Sequence, residues 1–361
     1  MAAPSPKPSI LGIEPYRPGR ATAPGFAHPI KLSANENALG ASPAARAAYV
    51  EAQGALHLYP DPRANALREA LAAKHNIDPA RIVFGTGSDE LFAIGCQAYL
   101  QADDVMVQPQ YAFAAWAIAA RACGATVRSA PERDYHVDVD AMLAAVDDNT
   151  RVMFIANPAN PTGTCIHASE MRRLHDGLRP DILLVLDGAY AEFADSDDDF
   201  AAYADAPNVC ITRTFSKLYG LAALRIGWGY APAPVVDALN RIRLPFNASG
   251  PAQAAALAAL NDEAFVAASI AHTIRGRERL SRLLSGLGLI ALPSTANFVT
   301  ARVPSGARCE AGAICAKLAE RGILVRGLEP YAMPDCLRIS VGAERDWQSL
   351  EDALRAIVAP E

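Results

Sequence analysis

Residues 182–217 read ILLVLDGAYAEFADSDDDFAAYADAPNVCITRTFSK and contain two apolar runs of strand length. The first run, Ile182–Asp187, ends in a carboxylate, and the second, Val209–Thr212, leads into the string Thr214–Lys217. Continuous apolar runs are typical of strands in a parallel sheet that is covered on both faces. A carboxylate that ends a buried strand needs a positive partner, although an Asp at this point can also cap the following segment.

The same pattern extends outward, because strand-length apolar runs alternate with helix-like segments from about residue 40 onward. The other strand candidates are Ile82–Gly85, Val105–Gln108 and Val152–Ala156. The helix candidates between them are Ser88–Leu100, Phe113–Cys123, Asp140–Val146 and Ser169–Leu178. This alternation predicts an α/β fold with a mainly parallel sheet and helices on both faces. The acidic run Asp195–Asp199 predicts a solvated loop.

The C-terminal part shows a different pattern, which predicts a smaller α+β domain. An alanine-rich helical stretch covers about 251–285, and an amphipathic helix near the C-terminus carries apolar residues from Trp347 to Ile357. The short strand candidates are Ala296–Ala301, Ile323–Arg326 and Leu337–Val341. We therefore expect an N-terminal arm over 1–40 that packs with the small domain, a large domain over 41–255 and a small domain over 256–361.

Composition narrows the possible classes of protein. A chain of 361 residues predicts two domains, and its net charge of −6 disfavours nucleic-acid binding. We expect no membrane span, because no uncharged apolar run reaches the roughly 18 residues that a membrane helix needs. The seven cysteines are scattered without CxxC spacing, which predicts reduced thiols and a cytoplasmic protein. The histidines form no HxH or HxxxH pair, so no metal site is predicted.

Ligands of an open parallel sheet bind at the carboxyl ends of its strands, where Lys217 is the most informative residue. A lysine that ends a buried strand can lose its proton and attack an aldehyde. Hydroxyls at Thr214 and Ser216, with Arg225 nearby, can hold a phosphate. The glycine-rich string Gly85–Glu90 opens a helix and offers N–H groups to a phosphate, or is an ordinary turn capped by Ser88.

Two further strings carry polar residues. Asn157–Gly163 contains two prolines and a glycine, which predict a stiff turn that holds an amide side chain in place. Arg338 lies within the apolar strand candidate Leu337–Val341, where it meets either an anionic ligand or a structural ion-pair partner. Arg326 poses the same alternative.

In this order, the strings resemble those of the fold-type-I aminotransferases that use pyridoxal 5′-phosphate, and within that family the histidinol-phosphate aminotransferases. The resemblance covers about residues 10 to 345. Its motifs are Leu32–Asn37, Tyr59–Asp61, Gly87–Glu90, Asn160–Gly163, Thr214–Lys217, Ala296–Phe298 and Leu337–Gly342. The chain departs from the family pattern at Ala38, which replaces a proline of the substrate loop, and at Ala159 and Ala223.

The resemblance implies three catalytic residues. Lys217 would bind the aldehyde of pyridoxal 5′-phosphate covalently, Asp187 would pair with the pyridinium nitrogen, and Tyr190 with Asn160 would hydrogen-bond the phenolic oxygen. Tyr111 would stack on the ring. The residues implied to hold the cofactor phosphate are Ser88, Asp89, Thr214, Ser216 and Arg225.

The resemblance also implies substrates and partners. Tyr59 would reach the cofactor phosphate of the neighbouring subunit, in a homodimer with shared active sites. The residues implied to face the substrate are Tyr16, Asn35, Arg326 and Arg338. The implied reaction exchanges an amino group between L-histidinol phosphate and 2-oxoglutarate, in histidine biosynthesis, by a ping-pong mechanism.

Three alternatives stay open at this point. The same scaffold serves aromatic or broad-specificity amino-acid aminotransferases and, less closely, a threonine-phosphate decarboxylase. A non-catalytic effector-binding module of a transcription regulator is disfavoured, because the sequence starts with a short arm without a helix-turn-helix pattern and its net charge is negative.

Overall fold

The computed structural model describes residues 4–194, 202–203 and 206–358. Its strands are β1 (Ile30–Lys31), β2 (Ile82–Gly85), β3 (Val105–Pro109), β4 (Thr126–Ala130), β5 (Glu132–Arg133), β6 (His136–Val137), β7 (Thr150–Ala156), β8 (Leu183–Asp187), β9 (Val209–Thr214), β10 (Gly227–Tyr230), β11 (Ile290–Ala291), β12 (Phe298–Arg302), β13 (Ile323–Leu324), β14 (Arg326–Gly327) and β15 (Cys336–Ser340). Its α-helices are α1 (Pro8–Leu11), α2 (Pro43–Ala52), α3 (Asn65–His75), α4 (Ser88–Tyr99), α5 (Ala114–Ala122), α6 (Val139–Ala144), α7 (Ala168–Gly177), α8 (Ala233–Ile242), α9 (Gly250–Asn261), α10 (Glu263–Gly286), α11 (Ala311–Ala319) and α12 (Glu344–Val358). The acidic run Asp195–Asp199 lies outside the described residues.

A seven-stranded sheet has the order β2-β10-β9-β8-β7-β3-β4. β10 runs antiparallel to both of its neighbours, and the pairs formed among β3, β4, β7, β8 and β9 are parallel. Along β8, Leu184 and Leu186 belong to one hydrophobic core, whereas Leu183 and Val185 belong to another. Because successive side chains of a strand point to opposite faces, these cores cover the two faces of the sheet. The predicted α/β fold with a mainly parallel sheet is confirmed.

Two strands of this sheet lack the apolar run that predicted the others. β4 is an edge strand in which only Ala130 is buried. β10 reads Gly-Trp-Gly-Tyr, and glycine is depleted in strands. Gly227 is needed there because a Cβ at this position would lie 2.5 Å from the backbone nitrogen of Ser88.

A four-stranded antiparallel sheet of order β11-β12-β15-β14 has a core of its own, which includes Leu280 of α10 and Leu354 of α12. The predicted strand Ile323–Arg326 is split, because β13 pairs in parallel with β1 whereas β14 pairs with β15. The β1–β13 pair attaches the N-terminal segment to this part of the molecule.

The helical stretch predicted over 251–285 is two helices, α9 and α10. Asp262 separates them, and its carboxylate accepts a hydrogen bond from the Phe265 backbone N–H at 3.2 Å, which caps α10. In the described part of the chain, no single helix has the length and apolarity of a membrane span. α9 and α10 reach that length and apolarity only when they are taken together, and the pair is bent by 77°.

Candidate active site

A cavity of about 600 Å³ opens at the carboxyl ends of β7, β8 and β9, between the seven-stranded sheet, the N-terminal segment and the four-stranded sheet. The predicted site residues that line it are Tyr16, Asn35, Ser88, Asp89, Asn160, Asp187, Tyr190, Thr214, Ser216, Lys217, Arg225, Arg326 and Arg338. Segments that are far apart in the sequence therefore meet in one cleft, at the sheet edge where open parallel sheets bind ligands.

Lys217 follows β9 and presents its amine to the cavity. Its Nζ donates a hydrogen bond to the Ala34 carbonyl oxygen at 3.3 Å and lies 5.7 Å from the centroid of the Tyr190 ring. Burial, followed by the positive charge of Arg338, lowers the pKa of Lys217 to about 8. A substantial fraction of this amine is therefore neutral, and hence nucleophilic, slightly above neutral pH.

Asp187 is the last residue of β8 and is only 7% exposed. Burial raises the pKa of this carboxyl group to about 7, although a hydrogen bond from the Ala189 backbone N–H, 3.1 Å long, opposes the shift. A buried carboxylate of this kind is stabilised by a cation placed against it. The protonated ring nitrogen of a pyridine cofactor is a cation of the right kind.

Tyr190 is held by a chain of hydrogen bonds that crosses to the four-stranded sheet. Asn35 Nδ2 donates to the Tyr190 hydroxyl oxygen at 2.9 Å, and Ser340 Oγ on β15 donates to Asn35 Oδ1 at 2.9 Å. The Asn35 backbone N–H in turn donates to Ser340 Oγ at 2.9 Å. Burial raises the pKa of Tyr190 to about 12, so its hydroxyl keeps its proton and can donate a hydrogen bond to an anionic oxygen.

The opposite side of the cavity has the features of a phosphate site. Arg225 Nη1 donates to Ser216 Oγ at 3.2 Å, and its Nη2 forms an ion pair with Asp89 at 3.1 Å. Gly87, not Ser88, is the N-cap residue of α4, so no side chain caps this helix and its first N–H groups can bind an anion. A Cβ at Gly87 would lie 2.5 Å from Arg225 Nη2, so glycine lets the Arg225 guanidinium lie against the start of this helix.

Arg326 on β14 and Arg338 on β15 lie directly opposite each other. Arg326 donates to the Arg17 carbonyl oxygen at 2.7 Å, and Arg338 donates to Asn160 Oδ1 and to the Ser33 carbonyl oxygen. Within the described residues neither guanidinium pairs with a carboxylate, which leaves the structural ion-pair alternative without support. Like charges on opposed strands are unfavourable, so an anion bound between them is favoured.

Two predicted residues lie outside the cavity lining. Tyr111 stacks on Tyr135 with ring centroids 5.5 Å apart, and its backbone N–H donates to Glu132 at 3.1 Å. Its implied stacking on the cofactor ring stays a prediction. Tyr59 is 83% exposed and stacks on Phe246 at 4.6 Å, on the surface of the chain.

Sequence reasoning missed two aromatic residues of the cavity, Phe113 and Tyr331. The Phe113 ring meets Tyr16 edge-on at 6.1 Å, and Arg326 lies 5.8 Å from the centroid of the Tyr331 ring. Phe113 follows β3 by a few residues, so its position near the carboxyl end of a strand was an available signal. Tyr331 lies in a 3₁₀ turn with no pattern that indicates a site.

Comparison with known proteins decides the family. Residues 27–357 match the family model described as aminotransferase class I and II. The chain belongs to the class I and II aminotransferases. Histidinol-phosphate aminotransferase 1 of Caulobacter vibrioides is 48% identical over 352 residues, which are 97% of this chain and 98% of that protein. The histidinol-phosphate aminotransferase of Rhodospirillum rubrum is 47% identical over 361 residues, 99% of this chain and 98% of that protein.

Solved structures agree with this assignment. The crystal structure of histidinol-phosphate aminotransferase from Sinorhizobium meliloti in complex with pyridoxal-5′-phosphate matches with a TM-score of 0.91 and 30% identity, and covers 99% of this chain and 98% of that one. The cofactor of this aminotransferase is pyridoxal 5′-phosphate, as the sequence predicted. The buried Asp187, the nucleophilic Lys217 and the glycine-lined helix terminus fit its ring nitrogen, its aldehyde and its phosphate.

Proposed function

We propose that this aminotransferase exchanges the amino group of L-histidinol phosphate with 2-oxoglutarate by a ping-pong mechanism, in histidine biosynthesis. The observation that carries the proposal is the pair of opposed arginines, Arg326 and Arg338, in the cavity that Lys217 also lines. One substrate brings a phosphate and the other two carboxylates, and a forked guanidinium binds either anion. The names of the relatives from Caulobacter vibrioides and Rhodospirillum rubrum support the same amino donor.

Lys217, Asp187 and Tyr190 are the proposed catalytic residues. When bound, pyridoxal 5′-phosphate supplies an electron sink for the electron pair left on the substrate carbon. Lys217 would carry the cofactor at rest. Its displaced amine would accept the proton of the substrate carbon as a general base and then donate it, as an acid, to the cofactor carbon that came from the aldehyde. Asp187 would supply a negative charge that stabilises the protonated ring nitrogen.

The other cavity residues bind and orient. Tyr190 and Asn160 are proposed to donate hydrogen bonds to the phenolic oxygen of the ring. Tyr16 and Asn35 would enclose the substrate beside the two arginines. The residues proposed to hold the cofactor phosphate are Ser88, Asp89, Thr214, Ser216 and Arg225.

We also propose a homodimer that shares its active sites. A group of large apolar side chains is solvent-exposed on the single chain, including Leu56 at 70%, Leu58 at 63% and Leu244 at 69%. Apolar groups of this kind mark interaction surfaces. Tyr59 directly follows Leu58 in the sequence. From this exposed surface it would reach the cofactor phosphate of the second copy.

Sedimentation tests the dimer. We expect a mass of two chains for the wild-type protein and of one chain for Leu244→Asp, because a charge would be buried in the interface. Ala307→Asp, in a turn distant in sequence from this apolar surface, is the control. A wild-type protein that sediments as one chain at micromolar concentration contradicts the proposal.

Two further proposals concern organisation and location. The separate cores of the seven-stranded and four-stranded sheets support two domains, proposed over 41–255 and 256–361, although Ala256, Ala259 and Leu260 of α9 belong to the core of the large domain. The β1–β13 pair supports an arm over 1–40 that packs with the small domain. The buried thiols of Cys96, Cys210 and Cys336 suit a reducing cytoplasm.

A donor screen tests the proposed substrate. With 2-oxoglutarate as acceptor, turnover of L-histidinol phosphate, phenylalanine and threonine phosphate is compared by kcat/KM. We expect L-histidinol phosphate to exceed phenylalanine by at least roughly 100-fold, because a doubly charged phosphate can contact both arginines, whereas the single carboxylate of phenylalanine carries one charge. Preferred turnover of phenylalanine indicates an aromatic aminotransferase, and release of CO₂ from threonine phosphate indicates a decarboxylase. Either result overturns the proposed substrate.

A further inference from the structure

Thr300 and Arg338 lie directly opposite each other on the antiparallel strands β12 and β15. Their side chains therefore share one face of the four-stranded sheet. From this face Arg338 Nη1 donates to Asn160 Oδ1, and Thr300 Oγ1 donates to the Pro161 carbonyl oxygen at 2.5 Å. Two neighbouring strands of one sheet thus hold two consecutive residues of the loop that follows β7.

The far end of this loop is also fixed to the segment that leads into β12. The Thr295 backbone N–H donates to the Gly163 carbonyl oxygen at 3.0 Å. Gly163 has a φ of +84°, and a Cβ there would lie 2.5 Å from Ser294 Oγ. The loop therefore packs closely on the four-stranded sheet, and the hydroxyl of Thr300 sets its position beside Asn160.

We propose that Thr300 is a positioning residue, which keeps Asn160 in register with Arg338 so that both side chains meet the cofactor ring and the substrate carboxylate together. Thr300 is fully buried and acts on the site through the backbone of Pro161. The inference rests on the proposed function, because the roles of Asn160 and Arg338 belong to it.

Substitution of Thr300 by valine keeps the shape of the side chain and removes the hydroxyl. The Pro161 carbonyl then has no hydrogen-bond donor in its buried position, which costs free energy. Movement of the loop away from β12 relieves this cost and draws Asn160 away from Arg338. We expect the KM for 2-oxoglutarate to rise about tenfold, the effect of one well-placed hydrogen bond. Thr300→Ser retains the hydroxyl and is expected to stay within about twofold of the wild-type value.

A binding measurement separates this role from a merely structural one. Succinate, a dicarboxylate without a keto group, is titrated into the cofactor-loaded protein and followed by the absorbance of the bound cofactor. We expect its Kd to rise about tenfold in Thr300→Val and to be restored in Thr300→Ser. Thr300→Ala is a second variant without the hydroxyl, in case the valine variant does not fold.

The outcomes distinguish the inference from the function on which it rests. A wild-type protein that binds succinate, with hydroxyl-free variants that bind it equally well at a lowered Tm, overturns the role of Thr300 alone. A wild-type protein that neither binds succinate nor uses 2-oxoglutarate overturns the proposed acceptor and the inference together.

Discussion

The two sides of the cavity are assembled in different ways. On the side of the seven-stranded sheet, Ser216 and Arg225 are nine residues apart and hydrogen-bond each other directly. On the side of the four-stranded sheet, Asn35 and Ser340 meet across 305 residues of sequence. The first side is built by the ends of strands and the segments that directly follow them, whereas the second depends on the packing of both ends of the chain. We infer that the first side carries the chemistry and the second selects substrates, so mutations on the two sides should change different kinetic constants.

Lys217→Ala tests the chemical side and should have the largest effect. The variant lacks both the proposed attachment point of the cofactor and the group proposed to move the proton, so we expect kcat to fall by roughly 10⁴-fold or more. Steady-state transamination without added amine measures it. Lys317→Ala removes an exposed lysine and should leave kcat unchanged; wild-type activity of Lys217→Ala would refute its catalytic role.

Asp187→Asn should have the next largest effect. Asparagine keeps the shape of the side chain but carries no negative charge to stabilise a protonated ring nitrogen, so we expect kcat to fall by roughly 10³-fold. Asp181→Asn, at an exposed position, serves as the control. If Asp187→Asn changes only the KM for the substrates, the side of the seven-stranded sheet does not carry the chemistry.

Arg338→Gln tests the selecting side. Loss of the forked guanidinium should raise the KM for 2-oxoglutarate by roughly 100-fold while kcat changes little. Arg338→Lys keeps the charge but lacks the forked donors. Its KM for 2-oxoglutarate should lie between those of the wild-type protein and Arg338→Gln. A fall in kcat with an unchanged KM would assign Arg338 to the chemistry instead.

The pH dependence of cofactor attachment has the smallest expected amplitude. Because the pKa of Lys217 is lowered to about 8, its neutral fraction rises roughly tenfold between pH 7 and pH 9 and then levels off. The initial rate of attachment of pyridoxal 5′-phosphate to the apoprotein should follow this curve. A lysine with an unshifted pKa would instead give a rate that still increases steeply above pH 9.

The chemical side could be read from the sequence because its signals are local. Apolar runs that end at Asp187 and in Thr214–Lys217 fix both the strand and the polar residues after it. β10 escaped prediction because glycine occupies half of it, for the sake of close packing on Ser88.

The selecting side was less accessible to such reasoning. Arg326 and Arg338 were identified by their unusual place in apolar strands, but their opposition depends on the pairing of β14 with β15. The place of Tyr331 in the cavity lining and the contact of Thr300 with Pro161 arise only from tertiary packing. The orientation of Tyr111 likewise follows from its neighbours Tyr135 and Glu132, which no local pattern indicates.

Chemical mapping of the lysine that binds the cofactor is the most direct test of the role proposed for Lys217. The cofactor-loaded protein is treated with borohydride, which makes the bond between lysine and cofactor permanent, and the modified peptide is identified by mass spectrometry. The chain offers Lys7, Lys31, Lys74, Lys217 and Lys317. We predict that the cofactor mass is found on Lys217, in stoichiometric amount. Modification of another lysine, with Lys217 unmodified, would rule out Lys217 as the residue that binds the cofactor.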